Sequence, residues 1–261
     1  MESTCERILA LKPRRVLEIG CGTGLLLFRI APQVEYFHGL DISATALEGI
    51  RLDPQFAPLA DKVSLGEARA DEIGELAPDV FDVIVINSVA QYFPSADYLV
   101  SVLEHCVRRL APGGSLFVGD VRLLPMLEPL HASVVLFEAS NDTSIAEVRA
   151  RVQQRMWNES ELVIDPAFFE AVRLHLPQIT STTVQLKRGV QPNELNKFRA
   201  DVVLSTAPQT PVPTTHSASV STLQDIRTLL AAPPARFRLL DIEDARTARD
   251  VRAVELLRAA P

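Results

Sequence analysis

The first residues that could do chemistry are Gly20, Gly22 and Gly24, spaced at alternate positions in VLEIGCGTGLLL between Val16 and Leu27. A glycine-rich turn from a strand into a helix lets backbone approach a ligand closely and aims unpaired N–H groups at it. Asp41, at the end of the next apolar run in GLDIS, is placed to accept both hydroxyls of a ribose. The combination points to a nucleoside-containing ligand, set against a plainer reading in which the glycines only shape a turn and Asp41 caps a helix. The spacing is G-x-G-x-G, whereas a dinucleotide calls for G-x-G-x-x-G with a pyrophosphate at the helix start. Glu18 stands just before the first glycine, a poor neighbour for pyrophosphate and a good one for a ligand bearing an ammonium and a sulfonium. Charge therefore favours S-adenosylmethionine over a nicotinamide dinucleotide.

The elements that must hold these residues follow from periodicity. The runs RVLEIG, YFHGLDI, VSLGEAR, FDVIVINS and GSLFVGDV read as strands, separated by the helical stretches GLLLFRIAP, SATALEGIR and SADYLVSVLEHCVRRLA. That alternation implies an α/β fold with a parallel sheet. Ser95 is the expected cap of the last helix, and Leu99, Val102, Leu103, Cys106, Val107 and Leu110 its buried face, up to the breaker at Pro112–Gly114. From about 123 to 177 the strand signal gives way to helices, an insertion lying over the sheet. STTVQLKRG and KFRADVVLST then form an antiparallel pair. The expected organisation is a core over 1–206, a Pro/Ser/Thr-rich linker over 207–219 and a helix–strand–helix extension over 220–261.

Composition narrows the classes. A chain of 261 residues with 47% hydrophobic and 23% charged residues is globular, and its net charge of -7 argues against a nucleic-acid partner. No apolar run has the length of a membrane span, and no signal-peptide pattern opens the chain. Cys5, Cys21 and Cys106 lack metal-ligand spacing, so no metal is expected and a reducing, cytoplasmic setting is. Regular structure begins within a few residues of Met1, the pattern expected of a domain taken from a longer chain.

VLEIGCGTG, GLDIS, FDVIVINSVAQYFPS and LAPGGSLFVGDVR together resemble a class I S-adenosylmethionine-dependent methyltransferase. INSVAQYFP, HASVVLF, ELVIDPAFF and LKRG followed by NELNKFR narrow the likeness to the methyltransferase domains embedded in polyketide synthases and nonribosomal peptide synthetases. The resemblance implies a Rossmann-like, mainly parallel seven-stranded sheet with one antiparallel strand, a helical lid and a small C-terminal extension. It also implies an acyl carrier protein as partner, presenting substrate on phosphopantetheine, beside neighbouring synthase domains. Glu18, Gly20, Gly22 and Gly24 would wrap the methionine half of the cofactor and Asp41 its ribose. Ile42 would pack on adenine, Ala70 and Asp71 would meet the adenine edge, and Asn87 and Ser88 would lie under the methionine moiety.

Methyl transfer is a direct displacement, and an alcohol acceptor must also lose a proton, for which histidine is suited. His131 in LEPLHASV is the expected base; His38 and His105 fall in structural positions, His175 ends a lid helix and His216 lies in the linker. Its orienting carboxylate is expected to be Glu161 or Glu194, with Gln91 and Tyr92 shaping the acceptor pocket. The tail resembles that of O-methylating domains, with departures at IEDAR and at Ala200, where an asparagine and a tyrosine are usual. Methylation of a β-hydroxyl on a carrier-tethered acyl chain is the first expectation. Methylation of an aminoacyl nitrogen is the alternative, and a non-catalytic scaffold domain the third. VRARVQQR and ARFR are candidate basic patches for an acidic carrier protein.

Overall fold

Apolar residues alternate between two faces along each central strand, so the sheet must be covered on both sides. In the computed structural model, which describes residues 2–75, 80–188, 193–208, 216–219, 222–231, 237–240 and 242–260, that is the arrangement found. The strands are β1 (Arg15–Ile19), β2 (Tyr36–Asp41), β3 (Val63–Glu67), β4 (Phe81–Asn87), β5 (Leu110–Arg122), β6 (Ser181–Leu186) and β7 (Arg199–Ser205). They form one sheet in the order β3-β2-β1-β4-β5-β7-β6. The first five run parallel, and β7 is antiparallel to both of its neighbours. Strand order reverses between β1 and β4, the position where an open α/β sheet leaves a crevice beyond its carboxyl ends.

Period-two alternation sorts the core into two layers. Val16, Phe37, Val83, Val85 and Phe117 face helices α1 (Glu2–Leu9), α2 (Leu27–Ile30) and α3 (Ala44–Leu52), meeting Ile8, Leu27, Ile30, Leu47 and Ile50. Leu17, Leu40, Ile84, Ile86 and Leu116 face the other side, where α4 (Ala96–Val107) supplies Leu99, Val102, Leu103 and Cys106. Ser95 caps α4, its hydroxyl accepting from Tyr98 N at 3.2 Å. The helix stops at Val107, earlier than the Pro-Gly-Gly breaker, because β5 begins at Leu110 and pairs with Phe81 before its register shifts to Ser115.

Beyond β5 come the lid helices α5 (Leu127–Glu138), α6 (Ile145–Trp157) and α7 (Ala167–His175). The segment between α6 and α7 returns to the carboxyl edge of the sheet. There Ile164 N donates to Arg122 O, Leu124 N to Ile164 O and Leu162 N to Gln91 O, at 2.9, 3.0 and 2.8 Å. A short helix α8 (Glu194–Phe198) leads into β7.

The C-terminal part differs from expectation. Part of the stretch read as linker is a strand, β8 (His216–Ser219); 209–215 lie outside the described residues. After α9 (Leu223–Ala231), β8 pairs in parallel with β9 (Phe237–Leu240). The last helix, α10 (Ala248–Ala259), packs into the lid, where Val254 joins Ala132, Val135, Val148 and Val152 in a small core. Arg149 on α6 donates to Leu257 O and Ala260 O at 3.0 and 2.7 Å, satisfying carbonyls that a helix end leaves open. Among the described residues no helix is long and apolar enough to cross a membrane.

Charge is buried where β5, β6 and β7 meet α1. Asp201, 1% exposed, accepts from Arg7 Nη1 at 2.5 Å, Lys187 Nζ at 3.0 Å and Asp120 N at 3.1 Å. Removing the acid leaves Lys187 in the interior with its main counter-charge gone. Asp201→Ala is therefore expected to lower stability by about 3–5 kcal/mol in equilibrium denaturation.

Candidate active site

The loop after β1 is pinned to the end of β2. Gly20 N and Cys21 N both donate to Leu40 O, at 2.7 and 2.9 Å, and Gly22 N donates to Asp41 Oδ2 at 2.7 Å. Gly20, Gly22 and Gly24 have φ of +76°, +52° and +79°, a region that side chains disfavour. Space forbids a side chain at two of them: a Cβ on Gly20 would stand 2.3 Å from Val89 Cγ2, and one on Gly24 2.8 Å from Phe28 Cε2. Asp41 also accepts from Ser43 N at 2.9 Å, while the Ser43 hydroxyl caps α3. Asp41 thus shapes the turn ahead of α3 as well as bordering the crevice, while the cap that the plainer reading gave it belongs to Ser43.

Two cavities meet at the carboxyl edge between β1 and β4. The larger, about 370 Å³, is bordered by Asp41, Ile42, Ala70, Tyr92 and Tyr98. The smaller, about 240 Å³, is bordered by Glu18, Gly22, Thr23, Cys21 and Asn87. Gly20 and Ser88 border both. The residues expected around adenine and ribose and those expected around the methionine half thus fall in adjoining spaces. Gly24 borders neither and acts through the turn. Ile42, 72% exposed, offers its side chain to the larger cavity in place of packing in the core.

The electrostatics of the smaller cavity suit a cation. Glu18 is 3% exposed, and burial, reinforced by the charge of Asp41, pushes its carboxyl up to about 8. Among the described residues its Oε2 has no hydrogen-bond partner, nor has Oδ1 of buried Asn87. Gly119 makes room for that amide, since a Cβ there would stand 2.2 Å from Asn87 Oδ1. Glu18 and Asn87 both border the smaller cavity, and a ligand carrying an ammonium suits such unsatisfied acceptor oxygens better than a phosphate does. These borders fit S-adenosylmethionine: Glu18, Asn87 and the glycine loop would hold the methionine half, Asp41 the ribose, and Ile42 and Ala70 the base.

Three expectations change. Asp71 borders neither cavity: Arg69 donates to it at 3.0 and 3.1 Å and Tyr98 Oη at 2.8 Å, and the Arg69 hydrogen bonds hold its carboxyl down at about 2. Arg69 and Tyr98 themselves border the larger cavity, so Asp71 reaches it only through them. The carboxylate beside His131 is Glu159, in place of Glu161 or Glu194. His131 Nε2 lies 3.2 Å from Glu159 Oε2, without the alignment of a hydrogen bond. Glu159 and Glu161 are both held by Arg122, a buried guanidinium at the end of β5. It forks between Glu159 at 2.9 Å and Glu161 at 2.7 Å, while Glu194 is taken by Arg199 at 2.8 Å. Burial lowers the pKa of His131, outweighing the opposing pull of Glu159. For Glu159, burial opposes ionisation, but Glu161 N–H, Arg122 and His131 together hold its carboxyl below the ordinary value. Neither cavity is bordered by His131, Glu161 or Glu194; Tyr92, well exposed, stands at the rim of the larger one.

Sequence reasoning passed over Arg122, Glu159, Asp120 and Arg199. GDVR, at the end of an apolar strand, carries two of them, and charge at that point of a buried strand is a readable signal.

Comparison with known proteins bears on the family and the fold. Residues 17–116 match the family model described as a methyltransferase domain. Chondramide synthase of Chondromyces crocatus is 50% identical over 204 residues, 78% of this chain and 5% of that protein. The nonribosomal peptide synthetase TES of Alternaria alternata is 37% identical over 199 residues, 76% of this chain and 4% of that one. The chain thus spans a small fraction of the relatives it matches. The solved N-methyltransferase NodS of Bradyrhizobium japonicum shares the fold, with a TM-score of 0.50 and 15% identity over 79% of this chain and 96% of that one.

Glu18 makes two linked predictions. A carboxyl whose pKa is raised in the fold keeps its share of stability in acid. That share declines as pH rises past the ordinary 4.5 and is lost by the folded value of about 8. The ligand-free chain should lose stability across that window, and Glu18→Gln should flatten the slope in thermal melts. A bound ammonium favours the ionised form, so S-adenosylmethionine binding near pH 7 should release protons. Calorimetry in buffers of different ionisation enthalpy reads the release, which Glu18→Gln should abolish together with much of the affinity.

Proposed function

We propose a substrate from the premise that this chain belongs to the class I S-adenosylmethionine-dependent methyltransferases: it methylates the α-nitrogen of an aminoacyl group held on a carrier protein. The cofactor supplies a methyl already activated by positive sulfur, so the protein's part is to align an acceptor lone pair with the carbon–sulfur bond and to exclude competing water.

The observation that carries this reading is the relative named as a nonribosomal peptide synthetase, 37% identical over 199 residues. An α-amine sheds its proton near neutral pH, around 8, and needs little base assistance, whereas an alcohol needs a base at the reacting oxygen. A peptide synthetase handles aminoacyl groups, which is the acceptor this reading names. In such an assembly the neighbouring synthetase domains and a carrier protein bearing phosphopantetheine are the partners this reading calls for.

Oxygen methylation of a β-hydroxyl is the second reading, favoured by one feature: the pairing of His131 with Glu159 in the lid. Closure of α5 toward the crevice would bring an imidazole to the acceptor. The two readings separate on products. With a labelled methyl donor and matched aminoacyl and β-hydroxyacyl carrier substrates, mass spectrometry should find the label on nitrogen. Label confined to the hydroxyacyl substrate would replace the first reading by the second. His131→Ala should cost the amine reaction less than about tenfold, against roughly 10²-fold or more if His131 deprotonates an alcohol.

A further inference from the structure

We propose that Ser88 receives the acceptor's N–H or O–H at the point of transfer, and that Asp120, braced by Arg199, turns the Ser88 hydroxyl for that task. The inference rests on the methyltransferase reading and concerns the acceptor side of the same site.

The sulfonium joins the methionine and adenosine halves of the cofactor, so it must lie where the two cavities meet. Two residues border both, Gly20 and Ser88, and only Ser88 has a side chain. Its hydroxyl is already committed in a way that fixes its direction. Ser88 Oγ donates to Asp120 Oδ2 at 3.0 Å and accepts from Asn87 Nδ2 at 3.0 Å. A hydroxyl has one proton and two lone pairs, so one acceptor position is left. That position can take a hydrogen from an attacking amine or alcohol, but cannot donate one.

Asp120 is built to keep the hydroxyl so. It is 5% exposed, and Arg199 Nη1 donates to its Oδ2 at 3.1 Å while Lys187 Nζ lies 3.8 Å from Oδ1. Its backbone N–H donates to Asp201, tying it to the charge cluster under β7. Two cations compensate the carboxylate, so it serves as a fixed acceptor for the Ser88 proton. Oδ1 has no hydrogen-bond partner. Both residues hold left-handed backbone, with φ of +58° at Ser88 and +66° at Asp120. Side chains avoid that conformation, which is found where a site over-determines the backbone.

In the step this serves, the acceptor nitrogen forms its bond to the methyl carbon as the carbon–sulfur bond breaks, and the bonding pair stays on sulfur as a neutral thioether. The nitrogen becomes positive, and its proton leaves to water. Ser88 holds one N–H throughout, which aims the lone pair along the carbon–sulfur axis.

Ser88→Gly and Asp120→Asn test this, because glycine and asparagine accept positive φ, and circular dichroism and thermal melts confirm that each variant is folded before it is assayed. Each full-length variant is titrated with S-adenosylmethionine and assayed on the carrier-bound aminoacyl and β-hydroxyacyl substrates. KM should change little and kcat should fall by about 10- to 100-fold, well beyond any loss of cofactor affinity. The double variant should fall no further than the worse single one, as residues acting through one hydroxyl are not additive. Undiminished turnover in Ser88→Gly, a loss of cofactor affinity that matches the loss of turnover, or additive losses in the double variant would each overturn the proposal. The ratio is read on whichever product forms, so a wrong choice of acceptor shows as product on the other substrate and is told apart from a failure of Ser88.

Discussion

A carboxylate kept out of water beside a second carboxylate is a costly thing to build, and Glu18 beside Asp41 is such a pair. Both sit on strand ends at the crevice where sheet order reverses, and both depend on the glycine turn between them. Gly22 N donates to Asp41, and Gly20 and Cys21 hold the loop on β2, so the turn that makes room for a ligand also fixes the two acids that attract it. Such an arrangement gains most from a ligand that brings positive charge and hydrogen-bond donors at once. The choice of a sulfonium nucleoside over a dinucleotide follows from that constraint more than from the fold, which serves both.

The turn, the acids and the sheet were legible because they are local. Glycines at alternate positions and an acid at the end of the next strand are spacings along one stretch of chain, and the unbroken apolar run in FDVIVIN marks a strand buried on both faces without any partner. The partner of His131 was not legible. Glu159 and Glu161 are both acids in one short segment, both are bonded by Arg122 from another element, and which of them lies beside His131 is set by the fold of that segment against the lid helix. Asp71 shows the same limit, since its sequence position says adenine while Arg69 and Tyr98 claim its oxygens. The last helix was read correctly as a helix, but its burial against the lid rests on Val254 meeting residues more than a hundred positions away.

Two connections give the acceptor side its form. Backbone bonds from Ile164 and Leu162 tie the lid segment to Arg122 and Gln91 at the sheet edge, so lid and crevice are one surface. The buried charges from Arg7 through Asp201, Lys187 and Asp120 to Arg199 then reach the crevice at Ser88. Charge that would be a liability in an apolar core here fixes the direction of one hydroxyl. An amine acceptor needs little more than that direction, while an alcohol would also draw on His131 and Glu159.

Infrared difference spectroscopy of the full chain at pH 7, with and without S-adenosylmethionine, tests the central electrostatic claim most directly. Adding the cofactor should remove a protonated-carboxyl band, and Glu18→Gln should lack that change. Saturation with the cofactor while the difference spectrum shows no loss of a carboxyl band, or equal loss in Glu18→Gln, would contradict the account.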